Sequence, residues 1–432
     1  MPPPLVIDTG NTAFMLLCSS LVMLMTPGLA FFYGGLVGRK NVLAIMIQSF
    51  VSMGWTTVLW WAFGFSLCFS GDLKSGTDFF GILGNFNWTF LRGISLDTPS
   101  LINPSIPMIV FCAYQMMFAI ITPALITGAF ANRVTFKAYM LFLTGWLTLV
   151  YFPFVHMVWG GGIMASWGVL DFAGGIVVHN IAGIAALASV LYVGRRRVAD
   201  HGPHSIPLVA LGTGMLWFGW YGFNAGSELH VDSVTGLAFL NTDIAASIAA
   251  LTWLFIAWAT ERKPKFVGLL TGAVAGLVAI TPAAGYVDGW GAIIIGIAAG
   301  IIPWLSMNKL QKTRLMMKVD DTLSVFSTHG VAGLTGGLLV GILANPDMLM
   351  YIGTDKDAPG VNITGLLYGN PSQLWLQAAG AAFIIVYNAI ATYIILKVIG
   401  MIVPLRMDEA TLKVGDDAVH GETAYAIGAE GE

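Results

Sequence analysis

Two histidines have the chemistry and the placement to move a proton. His179 lies in "DFAGGIVVHN" and His329 in "DDTLSVFSTHG", each eight positions after an aspartate, Asp171 and Asp321. Each also opens a similar run, "HNIAG" and "HGVAG", so the form D-x7-H-x-x-A-G occurs twice, 150 residues apart. Neutral imidazole donates from one ring nitrogen and accepts at the other, so a facing pair can hand a proton along. A lone histidine can equally bond a neighbouring helix; a second one at an equivalent place favours a pathway. Each lies about eight residues past an expected helix start, or roughly 12 Å into its span at 1.5 Å per residue.

The aspartates carry two readings. At the start of a span a carboxylate caps free backbone N–H groups and suits the positive helix end. Asp171 could in addition attract a cation near an entry. Aromatic and hydroxyl groups gather near the outer ends of several apolar runs: Trp159 in "HMVWGGG", Tyr114 and Phe118 in "AYQMMFAIITPA", Phe223 and Ser227 in "WFGWYGFNAGS". Such rings form an interfacial belt in many membrane proteins. If they converge, ring faces and one hydroxyl make a small cation site.

The elements that must position these groups are set by composition. The 432 residues are 56% hydrophobic and 10% charged, against roughly 25% charged in a soluble domain, so lipid must be the solvent for most of this surface. The first Lys or Arg is Arg39, and the first apolar run is expected to be a retained span rather than a secretory leader. Cys18, Cys68 and Cys112 sit in apolar runs without paired or metal spacing and read as small packing groups.

Polar punctuation leaves eleven apolar segments long enough for a bilayer: about 12–37, 42–69, 104–131, 138–156, 174–194, 205–227, 241–260, 266–284, 286–306, 322–344 and 373–400. The eighth and ninth are divided only by "AAGYVDGW". Positive charge supports that division. With the N-terminus outside, eleven spans put 17 of the 20 basic residues on the inner side, leaving Lys74, Arg92 and Lys356 outside. The tail from about Val403 is then cytoplasmic, polar and partly ordered.

The repeated histidine motif, and "ITPA" at both 121 and 280, stand five spans apart. An odd offset makes the second copy enter from the opposite side, the mark of an inverted-repeat transporter with its path between the halves. The expected architecture is an all-α polytopic membrane protein: repeat one about 12–194, repeat two about 205–344, an extra helix about 373–400, and a tail at 403–432 beyond a membrane domain of 1–402.

The stretches "TPGLAFFYGGLVGRKN", "ITPALITGAFANR", "HMVWGGGIMASWGVLDFAGGIVVHN", "WFGWYGFNAGS", "DDTLSVFSTHGVAGLTGG" and "HGETAY" resemble the ammonium transporter branch of the Amt/Rh family over essentially the whole chain. The resemblance implies a homotrimer in the cell membrane with one pore per subunit. It implies an outer ammonium site of Trp159, Ser227 and Tyr114, supported indirectly by Asp171. It further implies a gate of stacked Phe118 and Phe223, a pore-lining pair of His179 and His329, and a PII-type signal protein docking at the cytoplasmic face. Tyr114 stands where phenylalanine also occurs in the family, so its hydroxyl can add a bond or alter affinity. Trp159 favours this branch over the Rh branch.

Carrying a bare ammonium ion through a dry pore meets an idealised solvation penalty on the order of 20 kcal/mol. Removing its proton at pH 7 costs far less: taking the lysine ammonium as a stand-in leaves a gap of roughly 3 pKa units, or about 4 to 5 kcal/mol. Potassium has no proton to shed, and no "TVGYG" filter is present to carry it. The expected function is therefore transport: ammonium recruited as the cation, deprotonated, and passed as ammonia with separate proton relay. The alternative is an ammonium sensor signalling through a cytoplasmic partner with little flux; no kinase or receiver domain follows the short tail. No enzymatic activity, cofactor, metal site or nucleic-acid partner is expected. Two sequons, "NWT" at Asn87 and "NIT" at Asn362, fall in outer loops, where only a secretory pathway would glycosylate them.

Overall fold

Among the described residues, eleven apolar helices follow one another: α1 (Thr9–Leu36), α2 (Arg39–Phe69), α3 (Met108–Thr127), α4 (Phe136–Trp167), α5 (Gly175–Val193), α6 (Ile206–Glu228), α7 (Ser233–Glu261), α8 (Phe266–Ile280), α9 (Gly289–Lys312), α10 (Phe326–Leu343) and α11 (Pro371–Ile402). All but the shorter α8 are long and apolar enough to cross a membrane. The computed structural model describes residues 7–198, 202–314, 316–348 and 363–425. Lys356, Asn362 of the "NIT" sequon and the tail beyond Tyr425 lie outside the described residues, among which no strand forms. Helices are what lipid permits, because each backbone N–H must find its acceptor inside its own segment.

Several boundaries differ from the hydropathy reading, each for a local reason. α7 begins at Ser233 rather than near 241, because the Asp232 carboxylate accepts from Thr235 N and the Thr235 hydroxyl accepts from Asp232 N. α4 continues past residue 156, breaks at Gly160–Gly162 and resumes as a short helix, Ile163–Trp167. The chain does turn between the eighth and ninth apolar runs: Asp288 caps the first turn of α9 through Gly291 N, 2.8 Å away.

α1 lies along α6, and α5 crosses α10, so first meets first and last meets last in the two expected repeats. α11 packs on α5 and α10. The α5–α10 crossing depends on small residues. A Cβ on Gly183 would stand 2.1 Å from the backbone of Gly330, and one on Gly333 would stand 3.0 Å from Gly175 O. Gly183 and Gly333 are the glycines that close the repeated D-x7-H-x-x-A-G pattern. Without them the two histidine-bearing helices could not approach.

At one end of the bundle the basic loops join the tail. Arg133, fully buried, donates to the carbonyls of Ala129, Gly194 (2.8 Å) and Asp320 (2.7 Å) and to Thr322 Oγ1. Burial pushes its guanidinium down to about 10, still charged at neutral pH. Asp320 accepts from Arg196 Nε, Nη2 and backbone N at 2.8–3.0 Å, and Arg406 donates to Val193 O and Arg195 O. Two tail helices follow, α12 (Glu409–Val414) and α13 (Asp416–His420). Asp416 accepts from Leu43 N and Ala44 N, at 2.8 and 2.9 Å, so the tail caps the start of α2. Lys40 Nζ donates to Lys413 O, and the Arg39 guanidinium lies 5.2 Å from the Tyr425 ring centre.

Burial pushes the Asp320 carboxyl up, but its bonds to Arg196 outweigh that and hold it below the ordinary 3.8. A carboxylate depressed in this way contributes stability above its unfolded pKa, and the contribution is lost as pH falls through the folded value. Asp320→Asn should therefore destabilise the protein by about 2 kcal/mol at pH 7, the worth of charge-assisted hydrogen bonds. The difference from the parent should shrink as pH falls below 3.8. Thermal unfolding followed by circular dichroism tests this; an unchanged Tm at pH 7 would mean the network adds no net stability.

Candidate functional site

The sequence-predicted groups converge on one line of rings. Tyr114 and Phe118 are one helical turn apart on α3, and Trp220, Phe223 and Ser227 share one face of α6. Trp159 ends the longer part of α4, while α5 and α10 bring one histidine each. The Phe118 ring lies 6.0 Å from Trp159 edge to face, 4.9 Å from Tyr114 and 4.4 Å from Phe223. Phe223 continues to His179, nearly parallel at 5.7 Å, and His179 to His329, nearly parallel at 5.4 Å. Trp159 is partly exposed; Phe118, Phe223, His179 and His329 are buried.

The imidazoles face each other through Nδ1 atoms 3.3 Å apart. Both belong to wide helical turns at the start of their helices, where His179 N bonds Gly174 O five residues back. This corrects the expected depth. The helices begin at Gly175 and Phe326, four and three residues before the histidines rather than eight. Wide turns of this kind recur at functional positions. His179 Nε2 has no hydrogen-bond partner among the described residues, and both rings border a small cavity of about 10 Å³ walled by Leu29, Ile121, Leu216 and Val274 among others. A space of this size holds on the order of one water-sized molecule.

Asp171 lies ahead of α5. Its carboxylate accepts from Gly174, Ile176 and Val177 N at 2.8–3.0 Å, and its carbonyl accepts from Trp159 Nε1 at 2.9 Å. One residue thus orders the helix start carrying His179 and the ring of Trp159. Asp321 does the equivalent for α10, accepting from Val325 N and Phe326 N at 3.0 and 2.8 Å. The Tyr114 hydroxyl, fully buried, lies 3.0 Å from the carbonyls of Gly222 and Phe223 and 3.2 Å from Ser227 Oγ. Ser227 Oγ itself donates to Phe223 O at 2.9 Å. With that proton committed, its lone pairs remain to accept from an incoming donor.

Sequence reasoning missed Trp220, whose ring stacks on His179 at 5.1 Å while its Nε1 donates to Thr281 Oγ1 at 2.8 Å. Its spacing was the available signal, since residues 220, 223 and 227 fall on one helical face.

A bundle of long apolar helices enclosing a line of aromatic and imidazole rings defines a multi-pass membrane protein with a buried polar site. The sequence model of the Ammonium Transporter Family matches residues 13–425. An ammonium transporter of Aquifex aeolicus is 45% identical over 98% of this chain and 94% of its own length. Among solved structures, Mep2 of Saccharomyces cerevisiae superposes with a TM-score of 0.83 at 33% identity, covering 93% of this chain and 91% of that one. A protein described as a sensor Amt protein superposes at 0.82 with 28% identity, covering 94% and 96%. The chain belongs to the ammonium transporter family. Ammonium is its substrate class, and its similar relatives carry the names of transporters rather than enzymes.

Tyr114→Phe removes the hydroxyl that ties α3 to α6 and leaves Ser227 without that neighbour. Loss of the buried hydroxyl's hydrogen bond should lower stability by about 1 kcal/mol, and the half-saturating ammonium concentration should rise several-fold. Thermal unfolding and concentration-dependent uptake read these separately. If neither moves, the hydroxyl only fills space.

Proposed function

We propose that this protein carries ammonium across the cell membrane by recruiting the cation at Trp159, Ser227 and Tyr114, stripping one proton, and passing ammonia beyond a Phe118–Phe223 gate. The observation that carries this reading is the unbroken ring contact from Trp159 through Phe118 and Phe223 to the histidine pair. Ring faces and the Ser227 lone pairs suit a small cation at the partly exposed end. Beyond the two phenylalanines, whose rings are tilted by 47° rather than stacked, the walls are apolar, where a neutral molecule passes more cheaply than an ion.

The histidines supply the proton path. In a neutral pair sharing one Nδ1–H···Nδ1 bond, one ring holds a lone pair at Nε2 and the other a proton there. A proton taken at the lone-pair end and released from the opposite Nε2–H shifts the shared hydrogen and inverts both tautomers. The N–H bond broken in ammonium is thereby balanced by a proton delivered beyond the pair, while ammonia travels separately. Burial and like-charge repulsion keep the pair neutral or singly protonated.

The assembly we infer is a homotrimer with a pore in each subunit, built from inverted halves, with the N-terminus outside and the tail in the cytoplasm. Seventeen of twenty basic residues on one side support that orientation. A PII-type signal protein would meet the face where the tail caps α2. Truncation after Met407 should weaken transport or its regulation, read as ammonium uptake with and without the signal protein; full activity with full regulation would remove the tail from the mechanism.

The decisive measurement is ammonium-evoked current in proteoliposomes with potassium as the control. His179→Ala and His329→Ala should each abolish most of the current, or let potassium through where water fills the enlarged space. Trp159→Leu should change the apparent affinity or rate with the assembly intact. Normal current and intact potassium rejection in both alanine variants would reduce the histidines to packing groups. Saturable ammonium binding without current in the parent protein would favour the sensor reading instead.

A further inference from the structure

Immediately after Ser227 the chain brings together three ligating side chains at alternate positions, Glu228, His230 and Asp232. A carboxylate oxygen, an imidazole nitrogen and a second carboxylate oxygen all lie within 4.8 Å of one another. His230 Nε2 stands 3.2 Å from Asp232 Oδ2 and 4.0 Å from Glu228 Oε1. Among the described residues no lysine or arginine lies within ion-pair distance of either carboxylate.

Glu228 is what makes the cluster more than a surface feature. The residue is only 2% exposed, and neither carboxylate oxygen has a hydrogen-bond partner among the described residues. A buried carboxylate without donors must either take up a proton or face a cation. His230 Nε2 stands 4.0 Å from Glu228, and its other nitrogen is already held: Nδ1 lies 2.9 Å from Glu228 O and 2.9 Å from Asn103 Nδ2. If Nδ1 carries the proton and donates it to Glu228 O, Asn103 Nδ2 keeps only its bond to Leu229 O at 3.3 Å, and Nε2 presents a bare lone pair to two carboxylates. A metal-bound histidine is held in this way, its far nitrogen donating to a carbonyl. Asp232 keeps its other oxygen on Thr235 N at 3.0 Å, so its orientation is fixed by the start of α7.

We propose that Glu228, His230 and Asp232 form a binding site for a divalent transition-metal ion of the zinc class, beside Ser227 at the mouth of the pathway. One imidazole nitrogen and two carboxylate oxygens are ligands that such an ion accepts at about 2.0–2.2 Å, with a fourth position open to water. Tetrahedral ligands at that radius lie roughly 3.3–3.5 Å apart, between the two separations found, so a shift of the Glu228 side chain closes the site. The ion would clamp the turn joining α6 to α7 to the Asn103 loop. This site does not depend on the transport mechanism proposed above.

The test uses purified full-length protein without added histidines, stripped with chelator, dialysed against zinc chloride and analysed for bound metal. The expected result is one zinc per chain, with X-ray absorption showing a nitrogen and oxygen shell, an imidazole signature and no sulfur. Glu228→Gln and His230→Gln should each weaken binding by at least roughly tenfold, and the double variant should lose it. Gel filtration and circular dichroism establish that these variants are folded. Zinc binding that survives in the double variant, or is absent from the parent at millimolar zinc, overturns the proposal. So does ammonium chloride binding that requires Glu228 where zinc binding does not, which would assign the carboxylate to the substrate.

Discussion

The crossing of α5 and α10 is the constraint on which the rest of the site hangs. Gly183 and Gly330 meet with no room for a Cβ, and Gly333 lies against the backbone at Gly175 and Asn180. Only this approach lets two imidazoles, carried on different helices 150 residues apart, share a contact of 3.3 Å. Both helices start in wide turns, and both are anchored from outside by an aspartate whose oxygens take the first free N–H groups. Close packing of small residues and capping by buried carboxylates are the means available where no water can satisfy a helix end.

The same logic links the site to its surroundings. Asp171 uses its side chain on α5 and its carbonyl on Trp159, so the ring at the mouth and the histidine deep in the bundle are set by a single residue. Tyr114 likewise ties α3 to the end of α6. The line of rings is therefore a product of backbone anchoring as well as of stacking, and a substitution at an anchor acts at two places. At the opposite end Arg133 and Asp320 gather the ends of several helices, with the tail laid against α2. A change in tail position can reach α2 directly through Asp416.

Beside the two histidines and Trp220 lies a space of only about 10 Å³. The proposed division of ammonium into ammonia and a proton answers that geometry. An ion with its hydration shell does not fit there, and the walls offer it little in exchange for lost water. The imidazole pair is the polar exception, and its two nitrogens allow it to serve as donor and acceptor without taking up a net charge.

Much of this protein was determined by the sequence alone. Apolar runs of bilayer length can only be helices, so the all-helical character and order of the long elements followed from hydropathy. The D-x7-H-x-x-A-G recurrence and the motifs around Trp159, Phe223 and His329 singled out the residues that meet. Their ends were less legible: α7 starts at Ser233 because of a reciprocal cap at Asp232, which hydropathy does not record. Trp220 went unnoticed because a tryptophan in an apolar run looks like any other until something stacks on it. Arg133 looked like one more basic loop residue, although it is wholly buried. What only the tertiary structure decided was which side chains share a contact. Glu228, His230 and Asp232 alternate in a short polar stretch, yet nothing in that spacing says that Glu228 is buried without a partner. Burial and hydrogen-bond satisfaction depend on helices distant in the chain, and a local pattern contains no information about them.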